Sequence, residues 1–309
     1  MEKTKYFWES KKNRNHANGI PESFRMLIVG KSGSGKTAIM LRMLLEPGLL
    51  DYSKLFVFGR SLHQPEYKIV KAGFDSKLSK NHIINILKHN ILINELDDNP
   101  ENVAEVLGVE LDDEDKGDIS CEFYENGTEV SDPKEFNLLD KNLIVFDDIM
   151  CDKNQSPADN LYTRGRHNNI DCIYILQNYY RLPRQTIRTN ANFMIFFNLS
   201  KRDVDNVYYD SDASVDFKDI DDFRKFCNES WKTPYGYIII DKDNPNLKHR
   251  YRNQLELNET EMQIPKVEEV KIVEEKQRAK KKCQACNMEL LSSSHARHIK
   301  SKAHFKKLL

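Results

Sequence analysis

Gly30, Lys31, Ser32, Gly33, Ser34, Gly35, Lys36 and Thr37 follow the pattern G-x-x-x-x-G-K-[ST], directly after the apolar run 24–29. Glycines at these places let consecutive backbone N–H groups curl around a β-phosphate. The Lys36 ammonium then reaches the β- and γ-phosphates, and the Thr37 hydroxyl ligates Mg²⁺. A helix from Thr37 to about Leu45 adds the positive end of its dipole to the same anion. The chemistry on offer is the grip on a nucleoside triphosphate.

A hydrolytic partner for that grip is present in Leu143-Ile144-Val145-Phe146-Asp147-Asp148, four apolar residues ending in two carboxylates. A buried parallel strand of this kind releases its last residues at the ligand-binding edge of an open α/β sheet. Asp147 is expected to hold the Mg²⁺ shell through water, and Asp148 to orient or deprotonate the attacking water; the two roles are interchangeable. Taken alone, paired carboxylates fit a helix cap or solvated turn equally well, and it is the loop at 30–37 that tips the reading to catalysis.

Three further polar groups follow strands. Gln177 comes immediately after Asp171-Cys172-Ile173-Tyr174-Ile175-Leu176, and its neutral amide can both donate and accept beside a γ-phosphate; the plain alternative is a turn cap. Arg184 and Arg188 are four apart and share a face if their segment is helical. Either guanidinium suits neutralisation of charge on a transferred phosphoryl across a subunit boundary, Arg188 ahead of Arg184, with a salt bridge or a DNA phosphate contact as the rival uses. Thr163-Arg164-Gly165-Arg166-His167 concentrates charge around a turn, and nucleotide sensing, DNA backbone contact and intersubunit pairing compete for it evenly.

The elements that must carry these residues read as an α/β domain. Near-continuous apolar segments at 24–29, 54–58, 143–147, 171–176 and 192–197 predict a mostly parallel sheet covered on both faces, with 235–240 as a hairpin or edge strand after Pro234. Helical spacing is read at 82–93, 204–209 and 220–227. The predicted organisation is a polar arm over 1–20, an ATPase domain over 21–258, a charged linker over 259–278 and a separate module over 279–309. Within the domain, 94–135 holds sixteen acidic residues and two lysines, which predicts an acidic surface insertion with few apolar anchors.

The net charge of -1 conceals a basic tail, for 276–307 holds ten Lys/Arg and one acid. In that tail Cys283-x2-Cys286-x11-His298-x5-His304 pairs two thiolates with two imidazoles, the donor set of a tetrahedral structural Zn²⁺ site, with His295 as a rival, less conveniently spaced ligand, and metal would have to supply much of the folding energy. No run of eighteen apolar residues occurs and Met1–Lys5 is polar, so a soluble, intracellular protein with no membrane partner is expected, its scattered cysteines reduced.

The segment 22–242 resembles the poxvirus-type viral DNA-packaging ATPases of the FtsK–HerA group, also found in large DNA viruses and Maverick/Polinton elements. The resemblance rests on GKSGSGKT ending at Thr37, LIVFDD ending at Asp148, TRGRH at 163–167 and ILQ ending at Gln177. It implies a RecA-like (ASCE) P-loop fold and a homo-oligomeric ring that uses ATP and Mg²⁺ to drive double-stranded DNA into a capsid. Capsid proteins are the implied partners, and the implied setting is the host nucleus or cytoplasm at viral assembly sites, or the virion. Asp148 stands where relatives often carry a catalytic Glu. The tail resembles U1/matrin-like C2H2 fingers, which implies nucleic-acid binding; a protein-docking finger is the plainer use. The acidic insertion and the fused tail depart from the family pattern. Two other classes compete: a GTPase or nucleotide kinase, disfavoured by the missing N-K-x-D loop and by the acidic insertion, and an assembly protein that uses nucleotide as a switch.

Overall fold

The five apolar runs do become the middle of one sheet. In the computed structural model, which describes residues 15–88, 117–126, 130–149 and 156–255, with backbone alone at 280–282 and 289–291, the first unit contains eight strands. These are β1 (Arg25–Val29), β2 (Lys54–Gly59), β3 (Ser120–Tyr124), β4 (Asn142–Asp147), β5 (Ile170–Leu176), β6 (Phe193–Phe196), β7 (Ile238–Asp241) and β8 (Tyr251–Arg252). Their spatial order is β3-β2-β4-β5-β1-β6-β7-β8, parallel through β6 and antiparallel for the last two pairings. Every residue of β4 and β5 is buried, as strands covered on both faces must be.

Side-chain alternation sorts the core into two layers. On one face Met26, Ile28, Val57 and Val145 pack with helices α1 (Lys36–Leu45), α2 (Pro65–Asp75) and α3 (Lys80–Lys88). On the other, Leu27, Val29, Phe146 and Tyr174 pack with α4 (Ser156–Arg164), α5 (Lys201–Asp210) and α6 (Ile220–Ser230). This is a mostly parallel sheet flanked by helices, the arrangement of a RecA-like P-loop core. Parallel strands joined by crossovers put the ends of β1, β4 and β5 on one edge of the sheet and their beginnings on the other.

The acidic segment needs correcting in part. Residues 120–124 are no surface excursion: they form β3, the edge strand, registered with β2 from Ser120 opposite Lys54 to Tyr124 opposite Phe58. Cys121 and Phe123 pack on one core layer and Tyr124 on the other, so a short alternating run lies inside an acidic composition. Charge on an edge strand also discourages pairing with another chain. Residues 94–116 lie outside the described residues, as do 1–14 of the polar arm. Residues 15–20 are pinned: His16 Nδ1 accepts from the Asp51 N–H and His16 Nε2 donates to Asp171, while Ile20 is buried.

The chain divides after Ile264, leaving Pro265–Leu309 as a second unit. Its described part is a pair of antiparallel strands, β9 (Lys280–Lys282) and β10 (Glu289–Leu291), with Lys282 opposite Glu289. Cys283, Cys286, His298 and His304 lie outside the described residues, as does the linker 259–278. Among the described residues no helix is long and apolar enough to cross a membrane.

Candidate nucleotide site

The glycine loop leaves β1 at Val29 and enters α1 at Lys36, at the C-terminal edge of the sheet. Gly35 takes φ 101° and Gly33 φ 72°, left-handed values that L side chains rarely adopt. Gly30 is required for a different reason: a Cβ there would stand 2.6 Å from Ser34 Oγ and 2.7 Å from Phe197 Cβ. No side chain caps α1, so its first-turn N–H groups are available to an anion. Ser34 Oγ is buried with no hydrogen-bond partner among the described residues, which suits a loop built to receive polar oxygens. Lys36 Nζ donates to the Lys31 carbonyl at 2.8 Å, closing the loop on itself.

Asp147 ends β4 and Asp148 follows it. Between β4 and β1 lies β5, with Ile175 paired to Asp147 and Leu176 to Val29, so Gln177 emerges between the glycine loop and the carboxylates. Gly30 N–H donates to the Leu176 carbonyl and Asp148 N–H to the Ile175 carbonyl, which ties both halves of the site to one strand end. Gln177 itself is exposed. Asp148 holds φ 53°, a strained conformation for a non-glycine residue of the kind that concentrates at functional sites.

Asp147 is 7% exposed, and burial pushes its carboxyl above the ordinary range. A hydrogen bond from Tyr67 and the charge of Lys36 act against that shift, while Asp148 adds to it. Burial likewise lowers the Lys36 ammonium, with Asp147 and then Asp148 opposing the change. The set is a partly dehydrated ammonium facing two carboxylates, an arrangement whose charge balance a metal–triphosphate would alter. Thr37, half-buried at the start of α1, and Asp147 carry the oxygens that suit Mg²⁺.

Two residues of this edge escaped the sequence reading. Tyr67, on α2, donates its hydroxyl to Asp147 Oδ2 at 2.5 Å. Gly59 pairs with Asp147 across β2 and β4, and a Cβ there would come within 3.0 Å of the Asp147 carbonyl oxygen. A signal for α2 was present in Pro65 at the first helical position and apolar residues at 67, 70 and 74.

The remaining expected residues are held elsewhere. Arg184 and Arg188 share a single π-type turn, and both pair with Asp210, at 3.0 and 2.9 Å. Asn190, just beyond that turn, accepts from Arg25 Nε at the start of β1, which sets this segment toward the sheet edge away from the glycine loop. The Arg188 side chain is 10% exposed and that of Arg184 66%. Arg164 ends α4, and Arg166 and His167 lie in the 3₁₀ turn Gly165–Asn168 before β5, again at the beginnings of the strands. One chain therefore brings together Lys36, Thr37, Asp147, Asp148 and Gln177 at one edge, and places the arginines apart from them. Among the described residues no cluster of three His, Cys, Asp or Glu side chains is placed to hold a metal ion.

Against known families, the model described as "Poxvirus A32 protein" matches residues 11–118 and 124–282. The chain belongs to the poxvirus A32 protein family. Membership of the A32 family, together with the P-loop architecture, makes it an ATP-hydrolysing enzyme related to the FtsK–HerA P-loop ATPases. Among solved structures it is similar to the genome packaging NTPase B204 from Sulfolobus turreted icosahedral virus 2 in complex with AMP, at 11% identity and a TM-score of 0.41 over 76% of this chain and 98% of that one. B204, the DNA-packaging ATPase from Sulfolobus turreted icosahedral virus, matches at 13% identity and TM-score 0.39, over 71% and 93% of the two chains. VirB4 of Thermoanaerobacter pseudethanolicus matches at 9% and 0.35, over 74% and 88%. No match was found among curated proteins.

Proposed function

We propose that this A32-family ATPase is a motor that translocates double-stranded DNA and packages a viral genome into its capsid, acting as a homo-oligomeric ring. The observation that carries this reading is the single edge at which the glycine loop, Asp147, Asp148 and Gln177 meet, tied together through the end of β5. Thr37 and Asp147 would hold Mg²⁺, which supplies charge neutralisation to the phosphates. Lys36 grips the β- and γ-phosphates, Asp148 orients the attacking water, and Gln177 senses whether the γ-phosphate is present.

An arginine from a neighbouring subunit would complete the site. Both arginines pair with Asp210, but the Arg184 side chain has the exposure such a reach needs, whereas that of Arg188 is buried and steadies the turn that presents its neighbour. The basic tail, with Zn²⁺ held by Cys283, Cys286, His298 and His304, would add phosphate contacts to DNA and raise its local concentration.

Phosphate release with and without double-stranded DNA is the test. The expected result is turnover stimulated by DNA in the wild type and lowered by about two to three orders of magnitude in Lys36→Ala. Turnover indifferent to DNA, in a protein that remains monomeric with a non-hydrolysed ATP analogue, would overturn the motor reading.

A further inference from the structure

A nucleotide whose phosphates occupy 30–37 must lead its sugar and base off the first turn of α1, and the two sides of that turn are unlike. Toward β5 and β4 stand Gln177, Asp147 and Asp148, polar groups suited to the reacting end. Toward β6 and β7 stand two aromatic rings. A Cβ at Gly35 would lie 3.4 Å from Phe197 Cε1 and 3.5 Å from Tyr235 Cδ1, so both rings flank the space beside the last glycine of the loop. Phe197 is 2% exposed and belongs to the core, but Tyr235 is 72% exposed. An aromatic face left to water beside a phosphate loop is a surface in search of a flat partner.

Tyr235 reaches this place through the antiparallel run of β7. Because Ile238 pairs with Phe196 at the end of β6, the residues before Ile238 arrive at the same edge as the glycine loop. The turn that presents the ring is tightly fixed. Gly236 N–H donates to the Thr233 carbonyl, and a Cβ at Gly236 would fall 2.1 Å from the Ser230 carbonyl oxygen at the end of α6. Tyr235 itself holds φ 57°, a left-handed conformation that a bulky residue rarely takes. Backbone strain is thus maintained to hold an exposed ring next to Gly35.

We infer that Tyr235 is the stacking platform for the purine base of the bound nucleotide. This rests on the nucleotide reading of the glycine loop and adds to it the residue that makes a nucleoside bind better than bare phosphate. Base–aromatic stacking contributes affinity without distinguishing hydrogen-bond patterns, so the tyrosine favours any purine triphosphate.

The test compares the Mg²⁺ complexes of ATP and inorganic tripolyphosphate by calorimetry on the full chain. Tyr235→Asn removes the ring and keeps a residue tolerant of the left-handed backbone. The expected result is about a tenfold weaker ATP affinity with tripolyphosphate affinity unchanged, and near wild-type values for Tyr235→Phe. In Tyr235→Trp, ATP should quench the new indole and tripolyphosphate should not. Equal ATP affinity in wild type and Tyr235→Asn overturns the inference while leaving the site reading intact, as does equal weakening toward both ligands, which would mark a role in loop packing. A wild type that binds neither ligand overturns the site reading as well.

Discussion

The Tyr67 hydroxyl donates to Asp147 Oδ2, so a side chain from α2 restrains the carboxylate at the end of β4. The bond favours the charged form of a group that burial pushes toward neutrality. Tyr67→Phe removes it without changing the packed ring. The Asp147 carboxyl should then rise further, and the acid limb of the pH–rate profile should move to higher pH. Loss of a hydrogen bond to a charged acceptor should also cost about 1.5–3 kcal/mol of stability, read by denaturant melts.

Asp147 itself should show the opposite balance. Its folded carboxyl lies above the ordinary value, so its contribution to stability is present below the unfolded pKa and is lost as pH rises through the folded one. At neutral pH the buried charge is a burden on the folded state. Asp147→Asn keeps an acceptor for Tyr67 and discards the charge. The nucleotide-free variant should melt higher than wild type at pH 7, with the gap closing as pH is lowered, while Mg²⁺-dependent turnover falls by about two orders of magnitude.

Two glycines of the loop should fail differently when given a methyl group. Gly30→Ala drives Cβ into Ser34 and Phe197 and should cost about 1–3 kcal/mol together with nucleotide affinity. Gly33→Ala meets nothing within 4 Å, and only its φ of 72° resists, so about 1 kcal/mol is expected. Thermal shifts with and without ATP separate the two.

Arg188→Ala leaves a buried Asp210 with one exposed partner and should destabilise the fold by about 3 kcal/mol. Arg184→Ala removes a largely solvated guanidinium and should cost under about 1 kcal/mol. If Arg184 completes a neighbour's site, that variant should melt like wild type and yet hydrolyse poorly; mixing it with Lys36→Ala protein should restore activity only where an intact pair of edges meets.

What could be read in the chain beforehand follows from how local each signal was. The loop 30–37 and the run into Asp147 declare themselves because their residue types sit next to one another and their strands are apolar throughout. Tyr67, Gly59 and Phe197 were illegible for the opposite reason: each reaches the site through strand register or helix packing, and none carries a motif. β3 was hidden by composition, since the acids around it outweigh the alternation of Cys121 and Phe123. The pairing of Arg184 and Arg188 with Asp210 spans more than twenty positions, and spacing within their own segment said nothing of it.

β5 begins just after the exposed Arg166 and His167 and ends at Leu176, immediately before Gln177, and it is buried along all seven residues. At about 3.3 Å per residue it is a rod of roughly 23 Å, hydrogen-bonded on both sides. The turn 165–168 and the meeting point of the glycine loop with the carboxylates are thus opposite ends of one buried central strand.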